Sequence, residues 1–258
     1  MTGLIAALTE ATGIAQEVIW SASVVFLRVG AAMAMMPGFG EMVVPARIRL
    51  GLALAFTAVV FPAVAPNLPG PETGILPVLA TETVAGLALG AALRLFVHAL
   101  QIAGMIIAQS TSLAQLFAGG QAEPQPATGH LLVMAGIAAA MAAGLHVTLA
   151  AYLIQSYDLL PAGRLPLASD LAEWGVARVG HAFALAFSLA MPFVIAGFLY
   201  NLALGIINRA MPQLMVAFVG APALGLGGLL LLALVAPVLL ATWLAALGGF
   251  FAEPFGLP

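Results

Sequence analysis

The 258-residue sequence contains no cysteine and no lysine, and only 7% of its residues are charged. Without Cys there is neither a disulfide framework nor a thiolate metal site, and the redox compartment cannot be read from thiols. All seven cations are therefore Arg, and against ten acids they leave a formal net charge of −3. No basic face exists to attract nucleic acid or anionic lipid. What fills the chain instead is apolar: 63% of residues are hydrophobic and the mean hydropathy is +1.14. These values lie outside the range of soluble globular chains and describe an integral membrane protein or a subunit buried in one. The N-terminus, MTGLIAALTEATG, has no basic n-region, carries Glu10 and runs into an apolar segment with Glu17 near its start. It is expected to be mature sequence.

Runs long enough to cross a bilayer, which takes roughly 20 residues, lie near Ile14–Met36, Ile48–Ala65, Pro77–Ala108, His130–Ile154, Arg178–Ile207 and Leu214–Phe250. The fold class expected is all-α: about six apolar runs, with no soluble domain in the short linkers and a single domain over 1–258. The third and sixth runs are too long for one span. Gly86, Gly90 and Gly104 interrupt the one, Pro222 and Pro237 the other, predicting bent helices or tight helical hairpins. Asp170 followed by Glu173 resembles a capping box and predicts a helix start near Leu171. Trp20, Tyr152, Tyr157, Trp174 and Trp243 fall near run ends, as an aromatic belt would. The linker cations are too evenly shared to fix orientation by the positive-inside rule.

Enzyme signatures are absent. There is no HExxH, GxSxG or Walker A motif, and His98, His130, His146 and His181 are scattered instead of paired at ligand spacing. No catalytic, metal or cofactor residue is assigned. Most acids sit at run edges; only Glu82 lies inside one. Arg94, His98 and Gln101 share one helical stripe, with Glu82 twelve residues before Arg94 near the same face. Such a stripe either lines a conduit or orients packed helices through interhelical hydrogen bonds. Gln109, Ser110, Thr111, Ser112 and Gln115 carry the polar character into the next linker, whose GGQAEPQPA core is unsuited to regular helix. Gly86-x-x-x-Gly90 marks a close-packing face. Methionines at Met33, Met35, Met36, Met191, Met211 and Met215 are either core filler or a deformable seal.

Several stretches, read in order, resemble the FliR family of flagellar export-gate subunits and their injectisome counterparts. In RVGAAMAMMPGFGEMVVPARIRLGLAL the matching residues are Arg28, Pro37, Pro45, Arg47 and Arg49. QIAGMIIAQSTSLAQLFAGG carries the Gln-x-x-Gly turn at Gln101 and Gly104, and SYDLLPAG matches at Ser156, Tyr157 and Pro161. The most specific stretch runs from Pro192 through Asn201, Gly205, Arg209, Pro212, Gln213, Phe218 and Gly220 to Pro222. Where the family commonly has Asp-Pro in the third linker, this chain has Glu123-Pro124.

The resemblance implies a non-enzymatic, cofactor-free subunit of the flagellar type III export gate in the bacterial inner membrane. It implies assembly with the sister subunits FliP and FliQ, contact with the switch protein FlhB and passage of unfolded export substrates. It further implies a pore plug in the third linker, placed here on Gln109, Ser110, Gln115, Phe117, Gly119, Gly120, Glu123 and Pro124. Assembly and packing roles are expected for Arg28, Pro37, Pro45, Arg47, Arg49, Arg94, Gln101, Gly104, Asn201, Gly205, Arg209, Pro212 and Gln213. Arg209 is expected to meet backbone carbonyls at a helix end, where the macrodipole favours a cation, or else to snorkel at an interface. Two alternatives stand beside this reading: a six-span secondary transporter, and the injectisome version of the same gate.

Overall fold

The computed structural model describes residues 2–41, 44–116, 127–211 and 216–256, the side chains of 2–14, 111–116, 216–219 and 221 excepted. Seven helices account for nearly all of them: α1 (Thr2–Met35), α2 (Ala46–Val64), α3 (Ile75–Leu116), α4 (Ala127–Ala142), α5 (Leu145–Leu159), α6 (Ala168–Ala210) and α7 (Val216–Ala252). Two 3₁₀ turns, Ala65–Asn67 and Pro71–Thr73, lead from α2 to α3. Five helices are long and apolar enough to cross a membrane, or six if α4 and α5 together count as one span.

Of the two forms expected for the longest runs, bent helices or tight hairpins, the structure has single helices that continue through the Gly and Pro positions. α3 continues for 42 residues through Gly86, Gly90 and Gly104, and α7 for 37 residues through Pro222 and Pro237. A proline deletes one ladder bond and a glycine costs about 1 kcal/mol against alanine. In apolar surroundings, exposing a full turn of unpaired backbone costs more than either, so the helices continue. The fourth run is the one that breaks. Gly144 takes φ +87°, a conformation no right-handed helix contains, and separates α4 from α5. α6 begins at Ala168, ahead of the predicted Leu171, with Leu171 N–H donating to Leu167 O at 3.1 Å. Asp170 thus lies within the first turn, where the helix dipole favours an acid, and accepts from Ser169 Oγ.

The described chain divides into two compact units. One comprises residues up to Arg94 with Gly144–Val176; the other comprises Leu95–Ala143 with Ala177–Gly256. In the first, each helix buries one stripe at three- and four-residue spacing: Val25, Val29 and Ala32 on α1, Ala53, Thr57, Val60 and Val64 on α2, Val78, Glu82, Ala85, Leu89 and Ala92 on α3, Leu149, Tyr152 and Ser156 on α5. That spacing is one helix face. Gly86 and Gly90 set the approach of α3 to α1. A Cβ on Gly86 would run into the Arg28 carbonyl, and one on Gly90 would lie 2.5 Å from the Ala32 carbonyl. The Gly-x-x-x-Gly face is therefore a pair of notches seating α1.

The second unit uses the same device. Gly104 meets the backbone of Gly129 on α4, and Thr128 Oγ1 donates to Gly104 O at 3.0 Å. Trp243 of α7, 1% exposed, donates from Nε1 to Phe96 O on α3 at 2.8 Å. Tyr152 and Tyr157 are likewise buried, so three of the five aromatics expected at the membrane surface are packing groups. Trp20 is half-buried and donates to Pro69 O at 2.9 Å. Met33 and Met36 sit in the core of the first unit as filler.

Candidate assembly site around Arg28

Arg28 lies within α1, in an apolar run where an uncompensated guanidinium would cost several kcal/mol. It is 1% exposed, and every part of its planar fork has a partner. Nε donates to Glu82 Oε2 on α3 at 2.8 Å. Nη1 donates to the carbonyl and the hydroxyl of Ser156, both at 3.1 Å, and Nη2 donates to Leu160 O at 2.8 Å. Tyr157 stacks on the guanidinium, its ring centroid 3.8 Å from Cζ. Glu82, fully buried, gives its second oxygen to the N–H of Gly163 at 3.0 Å.

Local structure explains the acceptors. α5 ends at Leu159, so the Ser156 and Leu160 carbonyls belong to its C-terminal turn and cap, where carbonyls lack helical donors and the dipole is negative. Gly163, at φ +77°, turns its N–H back toward Glu82. One guanidinium and one carboxylate thus lock α1, α3, the end of α5 and the turn after it. Arg28 thus meets helix-end carbonyls, the kind of contact the sequence also suggests for Arg209. Arg209 itself is exposed on the last turn of α6.

The remaining expected residues divide by position. Arg94 reaches across to another segment. It pairs with Glu41, in the linker after α1, through Nη1 at 3.1 Å and Nη2 at 3.5 Å. His98 and Gln101 bond each other at 2.8 Å on an exposed stretch of α3. Pro37 is buried beyond the end of α1, and Pro45 precedes α2 as its N-cap residue. Arg47 is exposed and Arg49 half-exposed on the first turn of α2. Asn201 donates back to Gly197 O at 2.7 Å, and Gly205 is exposed on α6.

Of the expected plug residues, Gln109, Ser110 and Gln115 are in α3 and not in a linker. Ser110 is buried, and its carbonyl would lie 2.7 Å from a Cβ on Gly197 of α6. Phe117, Gly119, Gly120, Glu123, Pro124, Pro212 and Gln213 lie outside the described residues.

The Arg28–Glu82 pair joins two apolar runs 54 residues apart, and no local spacing in the sequence marks it. The usable signal was charge bookkeeping: Glu82 is the acid deepest in any apolar run, and Arg28 is the cation nearest the middle of another. Ser156 and Tyr157, singled out only by resemblance, complete the cage.

Residues 19–249 match the family described as Bacterial export proteins, family 1. Similar proteins include the flagellar biosynthetic protein FliR of Caulobacter vibrioides, 36% identical over 221 residues covering 84% of this chain and 88% of that one. The FliR proteins of Escherichia coli and Aquifex aeolicus are each 29% identical, over 83% and 84% of this chain and 83% and 85% of their own. With nearly its whole length matched, the chain belongs to the bacterial export proteins, family 1.

Proposed function

We propose that this protein is a non-enzymatic core subunit of the flagellar type III export gate, one domain over 1–258, forming part of the channel through which unfolded flagellar proteins cross the bacterial inner membrane. The observation that carries the reading is end-to-end likeness to proteins named flagellar biosynthetic protein FliR. The way the ionisable groups are used supports it: Arg28 and Glu82 hold helices together, and Arg94 ties the α1–α2 linker to α3 through Glu41. Large side chains exposed along α6 and α7, among them Phe187, Phe198, Leu230 and Leu234, need apolar neighbours, and sister subunits supply them. FliP and FliQ are the proposed sisters and FlhB a further contact. Linker 117–126 is proposed as the pore plug, and Arg209 with the segment after it as an assembly contact.

The test is gene disruption with complementation, together with affinity purification in mild detergent. Loss of flagella and motility, with FliP and FliQ recovered on the tagged chain, is the expected outcome. A chain that purifies alone and binds a small solute, in cells that still swim, supports the transporter instead. Deleting Gly119 to Pro126 should raise ion leakage through an assembled complex, and unchanged conductance removes the plug assignment.

A further inference from the structure

α5 packs into the first unit through Leu149, Tyr152, Leu153 and Ser156. Its opposite face is exposed at Thr148, Ala151, Gln155 and Asp158, spaced three and four residues apart and so on one row. Val147 and Leu159 flank that row. Two neighbouring helices present a different surface: Leu50, Leu54 and Val59 stand out along α2, and Leu79, Val84 and Leu87 along α3. Of these three helices, α5 alone turns a polar row outward.

Depth gives the row its meaning. The Ser156 and Leu160 carbonyls accept hydrogen bonds from Arg28, so the last turn of α5 lies level with Arg28 of α1. The apolar span of α1 is Ala15–Met35. At 1.5 Å per residue, Arg28 stands about 5 Å from its middle residue, Val25. Glu82, which pairs with Arg28, is likewise about 10 Å along α3 from Ile75. Gln155 and Asp158 are therefore beside the interior of the neighbouring spans and not at their ends. Asp158 makes no ion pair among the described residues. A carboxylate at that depth is not stable against acyl chains and faces either a counter-charge or water.

The same chain shows what a counter-charge looks like where a charge packs helices: Arg28 and Glu82 are paired at 2.8 Å with side chains 1% and 0% exposed. The α5 row is built differently. Thr148 turns its hydroxyl back on its own helix, to Gly144 O at 3.1 Å, and Gln155 and Asp158 stay open. We propose that this row is a wall of a water-filled passage, along which an unfolded polypeptide moves. Wetted hydroxyl, amide and carboxylate groups give the apolar side chains of an unfolded polypeptide nothing to bury against, whereas the leucine rows of α2 and α3 would hold it. The proposal rests on the export reading and names the face of the chain that meets the cargo.

The sequence has no Cys, so T148C and Q155C can each be compared with L54C, on the apolar row of α2, in the full complex in lipid nanodiscs. The probe is trimethylammonium-ethyl methanethiosulfonate, which is permanently charged and stays in water. T148C and Q155C should react roughly tenfold faster than L54C. In cells, flagellin fused to a folded GFP domain that jams export, and carrying one Cys of its own, should form a disulfide with Q155C and none with L54C. T148C takes the place of Q155C where the latter does not assemble. Position 155 as unreactive as position 54, or crosslinked to a co-purifying subunit instead of the jammed polypeptide, overturns the proposal. So does fast modification without that disulfide, which places the row on an outer watery surface. Motility after gene disruption reports separately on the export reading, since the nanodisc rates decide whether the row is wet even in a strain that still swims.

Discussion

Arg28 on α1 and Glu82 on α3 form a 2.8 Å ion pair with side chains 1% and 0% exposed. Each also binds the end of α5 or the turn after it: Arg28 through the Ser156 and Leu160 carbonyls, Glu82 through the Gly163 N–H. A buried pair recovers its desolvation cost only when its remaining donors and acceptors are satisfied. Here both carboxylate oxygens and all three guanidinium nitrogens have partners.

Removing either member alone strands the other. Arg28→Ala and Glu82→Ala should each cost about 3–5 kcal/mol, read as earlier denaturation in detergent and loss of protein from the membrane. Arg28→Lys should rescue little, since an ammonium cannot serve three elements with a planar fork. The double variant Arg28→Met with Glu82→Leu should lose less than the sum of the single alanine variants. Additive losses would show that the two residues act independently.

Tyr157 separates stacking from hydrogen bonding. Its ring lies on Arg28, while its hydroxyl is buried with no hydrogen-bond partner among the described residues. Tyr157→Phe keeps the stack and removes the orphan, so stability should be unchanged or higher by about 1 kcal/mol. Tyr157→Ala should lose several kcal/mol through the cavity it leaves. A strongly destabilised Phe variant would show that the hydroxyl has a bond that matters.

The glycine notches should tolerate no side chain. Gly86→Val or Gly104→Val places atoms where the Arg28 carbonyl or the Gly129 backbone already stands, and backbone cannot move aside as a side-chain tip can. Overpacking typically costs about 1–3 kcal/mol, and here it should separate α1 from α3 or α3 from α4. Gly205→Val is the control, because a Cβ there meets nothing within 4 Å. Reduced yield for the first two and near-normal yield for the third is the expected pattern.

Arg94→Ala should be mild. Its pair with Glu41 is 25% and 31% exposed, and pairs open to solvent are worth about 1 kcal/mol or less. Thermal denaturation close to wild type, beside a large loss for Arg28→Ala, would rank the two arginines as their burial does. A comparable loss at both positions would mean that the α1–α2 linker depends on Glu41 more than its exposure indicates.

The class was legible in the residues alone: apolar runs of bilayer length and too little charge for a soluble surface. The sequence also marked Gly86, Gly90 and Gly104 as special, because a glycine inside a long apolar helix is costly unless another backbone approaches there. The motif residues Arg28, Ser156, Tyr157 and Arg209 were visible too. Their partners were not. In helices apolar on every side, hydropathy carries no stripe to say which face turns inward, since Leu is as comfortable beside lipid as in a core. Shape and polar satisfaction make that choice instead, and both are properties of several segments at once. The fold supplied the rest: Glu82 serves Arg28, a left-handed Gly144 breaks the fourth run while two prolines leave α7 continuous, and Arg28 reaches the carbonyls at the end of α5. Each choice turns on which backbone groups would otherwise stand unpaired in an apolar medium, where an unpaired group costs more than a strained or interrupted helix.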